Sequence, residues 1–263
     1  MDAPVDHVVM FSGGVGSWAA AKRVAEAHGT ERLTLLFADT KSEDEDTYRF
    51  LRDAADNVGG TLVEIADGRT IWDVFRDERF LGNSRVDPCS RILKRTLCDR
   101  WLSERYTPDD VIVYVGIDWT EEHRYSRLRE RKLPWRYDAP LCGPPWMWKP
   151  DLQKWATREG LAQQRLYKMG APHANCGGGC VKMGIGGFAR LLKAMPDRYA
   201  EWETNEQTLR EQLGDVSILK DRAGGTTTPL PLSELRRRTE AGGQLGLFDI
   251  GGCGCFTDEE EDG

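Results

Sequence analysis

Ser12-Gly13-Gly14-Val15-Gly16-Ser17 stands between an apolar run, His7-Val8-Val9-Met10-Phe11, and a stretch in which Trp18, Ala19, Ala20, Ala21, Val24 and Ala25 keep helical spacing. A strand that ends in a glycine turn and restarts as a helix makes an anion site. The first N–H groups of the helix lack intrahelical partners, and the positive end of its dipole faces the turn. Gly13, Gly14 and Gly16 carry no Cβ and let the backbone approach phosphate, while Ser12 and Ser17 add hydroxyls. No lysine stands where a Gly-x4-Gly-Lys-Ser/Thr loop requires one, and the Gly-x-Gly-x-x-Gly spacing of dinucleotide folds is absent.

Working outward, Gly29 stops the first helix and Leu33 to Ala38 reads as a second buried strand closing on Asp39-Thr40. Asp44 to Val58 carries Tyr48, Leu51, Ala55 and Val58 on one helical side, and Thr61 to Ala66 and Val111 to Ile117 read as further strands. Strands alternating with helices predict an α/β fold, a parallel twisted sheet with helices on both faces. The second half changes character. Tryptophan and proline crowd 134–155, Phe188 to Tyr199, Ala200 to Leu213 and Leu232 to Glu240 read as helices, and a glycine-rich end carries the last cysteines. The expected division is an α/β core that carries the glycine loop over 1–145 and a smaller, mostly helical, cysteine-bearing region over 146–263 with an acidic tail.

The formal charge of −7 over 263 residues owes five charges to Asp258, Glu259, Glu260, Glu261 and Asp262, leaving −2 for the rest. That excludes a globally basic nucleic-acid binder. No run of eighteen apolar residues marks a membrane span, Met1 to His7 does not read as a secretory signal, and the expected location is the cytoplasm. Seven cysteines in such a chain point to metal or redox chemistry more than to a disulfide framework. Cys176-Gly-Gly-Gly-Cys180 and Cys253-Gly-Cys255 together offer four thiolates, which zinc and a [4Fe–4S] cluster both accept. A third reading leaves the thiols free, with Cys253 or Cys255 as a redox nucleophile. Cys98 and Cys142 read as ordinary small apolar residues, and Trp146, Trp148 and Trp155 as core or lid packing, with a base-stacking platform for single-stranded nucleic acid as the alternative.

Ser-Gly-Gly-Val-Gly-Ser after a first strand resembles the PP-loop, Ser-Gly-Gly-x-Asp-Ser, of the ATP pyrophosphatase and phosphoadenosine phosphosulfate (PAPS) reductase superfamily. Four further stretches match in order: Phe37-Ala38-Asp39-Thr40-x-x-Glu43, Cys89-Ser90-Arg91-Ile92-Leu93-Lys94, Gly116-Ile117-Asp118 with Glu121, Glu122 and Arg124, and Leu166-Tyr167-x-x-Gly170 before Cys176 and Cys180. The similarity spans about residues 7 to 185. It implies an enzyme that binds ATP or a sulfonucleotide through Ser12, Gly13, Gly14, Gly16, Ser17, Asp39, Thr40 and Gly116, with Mg2+ as the nucleotide's companion ion. Cys89, Lys94 and Arg124 become the catalytic candidates. Related reductases carry a [4Fe–4S] cluster in this region, which favours iron–sulfur over zinc for Cys176, Cys180, Cys253 and Cys255.

Two departures stand out. Gly16 occupies the aspartate position of the PP-loop, and Ser90 replaces the second cysteine of a tandem pair. The implied reaction is nucleotide-dependent sulfur transfer or redox chemistry, with a thiol or electron-donor protein as partner. One alternative is sulfonucleotide reduction proper. The other is a catalytically idle nucleotide- or nucleic-acid-binding component of a modification or defence system. Arg127, Arg129, Arg131, Lys132 and Arg136 read either as phosphate clamps or as a solvated face. Thr40, three residues before Glu43, reads as a helix cap that leaves Asp39 available for ligand. His173 is a candidate for orienting substrate.

Overall fold

The computed structural model describes residues 4–174, 176–222 and 225–242. Two compact units divide the described residues: one comprises those of 4–39, 43–67 and 96–174, the other those of 40–42, 68–95 and 176–242. The linear cut expected near residue 145 does not follow this division. The chain leaves the first unit after its third strand, helps build the second, and returns.

The first unit holds a five-stranded parallel sheet, β1 (Asp6–Met10), β2 (Leu33–Asp39), β3 (Thr61–Ala66), β4 (Val111–Tyr114) and β5 (Arg136–Asp138), in the order β3-β2-β1-β4-β5. The central strands are apolar on both sides. Val9, Phe11, Leu35 and Phe37 join a core with helix α1 (Val15–His28) and helix α2 (Glu45–Val58). Val8, Met10, Leu36 and Val113 are buried as well. Burial on both faces is what a parallel sheet between helical layers requires. Trp18, Ala19, Ala20, Ala21 and Val24 are buried, the alanines being small enough for α1 to lie close on its neighbours.

Helix α2 begins one step after the sequence reading placed it, at Glu45. Its cap is Asp44, whose carboxylate accepts from Asp46 N–H at 2.9 Å, so Thr40 is not the capping residue. β4 ends at Tyr114 rather than Ile117.

Helix α3 (Ile71–Asp77), α4 (Pro88–Ser90) and the π-helical turn Arg91–Thr96 follow β3, then α5 (Leu97–Ser103) precedes β4. After β4 come α6 (Glu122–Arg131), β5, α7 (Lys149–Arg158) and α8 (Arg165–Lys168). Leu152 and Ala156 of α7 belong to the α1 core, and Trp155 meets Trp18 at 4.8 Å between ring centroids. This apolar stripe is the physical reason residues beyond 145 stay with the sheet.

The second unit packs α3 with α9 (Ile185–Ala194), α10 (Pro196–Leu213), the hairpin β6 (Leu219–Asp221) and β7 (Thr228–Leu230), and α11 (Leu232–Glu240). Pro196 opens α10 at a position where a missing N–H costs nothing. Glu206, almost fully buried on α10, accepts from Ile218 N–H at 2.9 Å and Leu232 N–H at 2.6 Å, tying hairpin and last helix to α10. Burial pushes its carboxyl above the ordinary glutamate range, opposed by those two N–H donors. Glu206→Ala orphans both donors, each worth about 1–3 kcal/mol, and is expected to lower unfolding stability by about 2–5 kcal/mol in denaturant titrations. A loss under 1 kcal/mol would show that the clamp is incidental.

Candidate nucleotide site

β1 feeds the glycine loop directly, with Phe11 N–H bonded to Leu36 O at 2.8 Å. Gly13 has φ +73, a left-handed conformation that suits glycine, and a Cβ there would stand 3.1 Å from Thr47 Cγ2. Gly14 caps α1 with extended backbone and no side-chain acceptor, and no acidic residue occupies the first turn. The positive helix end therefore faces the loop without a neutralising side chain of its own. Ser17 Oγ donates to Gly14 O at 2.9 Å, and Ser12 Oγ to Ser17 Oγ at 3.3 Å.

Gly16 and Gly116 explain each other. A Cβ on Gly116 would lie 2.7 Å from Ser17 N and 2.8 Å from Gly16 C, and one on Gly16 would lie 3.1 Å from Gly116 O. Two backbones meet here with no room for a side chain at 116 and little at 16. They come from β1 and β4, the strands between which the sheet order reverses, and ligands in open parallel sheets collect at that crevice beyond the strands' carboxyl ends.

Further motif residues converge on this edge. Tyr167 Oη lies 3.6 Å from the place a Gly14 Cβ would occupy, and Lys149 Nζ sits 5.5 Å from the Tyr167 ring centroid. Lys149 Nζ is also 3.3 Å from His173 Nδ1, so His173 joins the same group. Asp39, 6% exposed at the end of β2, accepts from Tyr48 Oη at 2.7 Å. Burial and that carboxylate together push the Tyr48 phenol upward. Thr40 belongs to the other unit, where Ser42 Oγ donates to its carbonyl at 3.2 Å.

Sequence reasoning missed Lys149, Thr47 and Gln164. Gln164 Nε2 donates to Thr47 Oγ1 at 3.3 Å, and Thr47 Oγ1 donates to Ala174 O at 3.0 Å, behind Gly13. The one available signal was Gln164's place just before Leu166-Tyr167. Arg124 pairs with Glu121 and is largely covered. Lys132 binds Asp99 at 2.6 Å, and Arg136 binds the carbonyls of Pro108 and Asp109. These two therefore serve local structure.

In the second unit, Lys94 is 3% exposed on the π-helical turn, a geometry often found at functional sites. Asp87 lies 3.7 Å from Arg95 and 3.8 Å from Lys182. Burial pushes the neighbouring Cys89 thiol up to about 12, with Cys176 and Asp87 raising it further and Lys94 opposing. Cys176 has φ +52 and Gly177 φ +62. A Cβ on Gly177 would meet Ser42 O at 2.9 Å, and one on Gly179 would meet the Trp202 ring at 2.5 Å. Gly177 and Gly179 thus answer packing demands as well as any demand from the cysteines. Among the described residues, Cys89, Cys98, Cys142, Cys176 and Cys180 are not joined to one another by disulfides, and Cys98 is buried. Cys253 and Cys255 lie outside the described residues. Among the described residues, no three His, Cys, Asp or Glu side chains gather as metal donors.

No family model matches the chain, and no curated protein matches it. Among solved structures it is similar to a phosphoadenylyl-sulfate (PAPS) reductase from Candida auris, a phosphate complex, at 17% identity and TM-score 0.44, over 62% of this chain and 78% of that one. It is also similar to the predicted subunit of a tRNA methyltransferase from Methanocaldococcus jannaschii, at 19% identity and TM-score 0.37, over 58% and 76%. At these TM-scores neither likeness carries over a residue role or a reaction. The α/β architecture itself, a parallel sheet with surrounding helices, is as the sequence predicted. Among the described residues, no helix is long and apolar enough to cross a membrane.

Two measurements probe this geometry. Gly116→Ala forces the α1 N-terminus off β4 and is expected to cost about 1–3 kcal/mol by overpacking, more than Gly16→Ala; equal and negligible losses would contradict the interlock. In metal-free protein, Cys89 is expected to resist iodoacetamide at pH 7 to 9 and to react only as pH approaches about 12 or on unfolding. Rapid alkylation at pH 7 would show a thiolate instead.

Proposed function

We propose that this chain is an enzyme of the PAPS reductase-like, PP-loop kind, binding ATP or a sulfonucleotide with its phosphates against Ser12–Ser17. The observation that carries the reading is convergence. Ser12–Ser17, Asp39, Gly116 and Tyr167 come from motifs up to 155 positions apart, counted along the sequence, yet belong to one carboxyl edge of one sheet. The un-neutralised N-terminus of α1 supplies the electrostatics for phosphate. Asp39 is the candidate for the ribose or for a companion Mg2+, and Arg124 for charge on the departing group.

The proposed chemistry is nucleotide-dependent sulfur transfer or redox turnover, with a thiol or electron-donor protein as partner, Lys94 as the charge-compensating group, and Cys89 as the reacting group only once a bound ligand offsets the burial that keeps its thiol protonated in the metal-free protein. A [4Fe–4S] cluster, with zinc as the rival, is proposed on Cys176, Cys180, Cys253 and Cys255. When bound it would supply electron or sulfur chemistry that protein side chains alone lack. The cytoplasm is the compartment that suits free thiols. Gly16 in place of the loop aspartate favours nucleotide binding over pyrophosphate release, which leaves sulfonucleotide reduction as the second reading. Release of sulfite from PAPS in the presence of thioredoxin would favour it over AMP formation from ATP.

Gly14→Asp provides the sharpest test. The Gly14 backbone is extended, a Cβ there meets only ordinary 3.6 Å neighbours, and aspartate is a good helix cap. The variant should stay folded while its carboxylate repels phosphate, weakening ATP or PAPS at least tenfold in calorimetric titrations, whereas Gly14→Ser retains binding. Unchanged affinity in Gly14→Asp would place the nucleotide elsewhere. For the cluster, iron, sulfide and zinc analysis of anaerobically purified wild type and Cys176→Ser should find iron in the first and a deficit in the second. Iron-free wild type would end that proposal.

A further inference from the structure

Two tryptophans stand in solvent within three residues: Trp146 is 64% exposed and Trp148 58%. The sequence reading favoured packing roles for both, and the structure does not. Exposing so much indole forfeits burial, and large exposed aromatics commonly mark recognition surfaces. Their backbone is held firmly. Arg23 binds Pro140 O at 2.7 Å, Gly143 O at 3.0 Å and also Pro145 O, while Trp146 Nε1 donates to Cys142 O at 3.3 Å. Trp148 caps α7, accepting from Asp151 N–H at 2.8 Å, and its ring meets Trp119 edge-on at 4.5 Å. Trp119 Nε1 in turn donates to Met147 O at 3.2 Å.

From Trp119 the chain runs into α6, where His123, Arg127 and Arg131 repeat at four-residue intervals and are all exposed. That column is about 12 Å long by helix rise. Arg127 has no ion pair among the described residues, and Arg129 lies over the Tyr125 ring at 5.8 Å. Glu122 lies about 140° around the axis from Arg127, while Glu130, three residues after Arg127, borders the basic column about 60° to its side. Residues 119–132 hold five Arg and Lys against three Glu, so the segment is basic within an acidic chain. The Trp119 turn follows β4 and the Trp146 loop follows β5, which puts both at the carboxyl edge that bears the glycine loop.

We propose that this surface binds a single-stranded nucleic acid, its bases stacking on Trp146 and Trp148 and its phosphates running along His123, Arg127 and Arg131. Fixed aromatic faces beside a basic track are the combination that single strands require, since every base offers a π-face and every linkage a charge. A duplex keeps its bases stacked internally and gains nothing from the indoles. The inference does not need the glycine loop to bind nucleotide, and the two can be tested apart.

The experiment titrates the full chain with fluorescein-labelled 15-mers of dT and of U, with a 15-base-pair duplex, and with anionic phosphatidylserine vesicles, following anisotropy and tryptophan quenching. Wild type should bind a single strand with quenching, at least tenfold more tightly than the duplex, and more weakly as salt rises. Dissociation constants for dT and U show whether DNA or RNA is preferred. Trp146→Ala/Trp148→Ala should lose at least tenfold, and Arg127→Glu should weaken binding and flatten its salt dependence. Both variants alter exposed side chains, and unchanged circular dichroism and melting should accompany those losses. ATP titration of the same variants reports the glycine loop separately. The proposal is overturned if neither single strand binds, if the variants bind as wild type does, if the duplex binds equally well, or if vesicles alone bind with the same residue dependence.

Discussion

The close backbone contact between Gly16 and Gly116 is the constraint on which the first unit's functional edge depends. A helix can offer its N-terminal N–H groups to an anion only if its first turn is pinned over the strand ends, and here the pin is backbone against backbone. A side chain at 116 would enter the space of Ser17 N. The same contact leaves little room for any side chain at 16, where a Cβ would have only 3.1 Å to Gly116 O. What remains is a cradle of N–H groups and hydroxyls with no acid in its first turn.

Around that pin the sheet imposes the rest. With strand order β3-β2-β1-β4-β5 and all strands parallel, every loop after a strand emerges on one edge. Asp39 after β2, Gly116 after β4 and the tryptophan loop after β5 are thus neighbours by topology, not by sequence. Tyr167 and Lys149 come to the same edge because α7 carries an apolar stripe, Leu152 and Ala156, that joins the α1 core.

Much of this was legible in the sequence. The glycine loop, the apolar strands and the α1 and α2 patterns use local signals, period and turn chemistry, and the structure agrees with them. What was not legible depended on distant partners. Thr40 had the spacing of a cap, yet Asp44 captured the helix start four residues later because its own carboxylate reaches Asp46 N–H. Trp146 and Trp148 looked like packing residues because indole usually is, and only the fold reveals their exposure. Gly177 and Gly179 suggested turns between metal ligands, whereas Ser42 O and the Trp202 ring are what a Cβ there would strike. The division into two units was hidden for a related reason: 68–95 carries apolar residues such as Val74 and Phe75 whose partners lie beyond residue 180.

The most direct test of the central claim is a map of backbone amide chemical shifts while ATP is added to the full chain. The account requires the largest saturable changes at the amides of Gly13 to Ser17 and at Gly116, with Tyr167 following. Saturable changes confined to other surfaces, or no saturable change, would contradict the assignment of the glycine loop as the phosphate site.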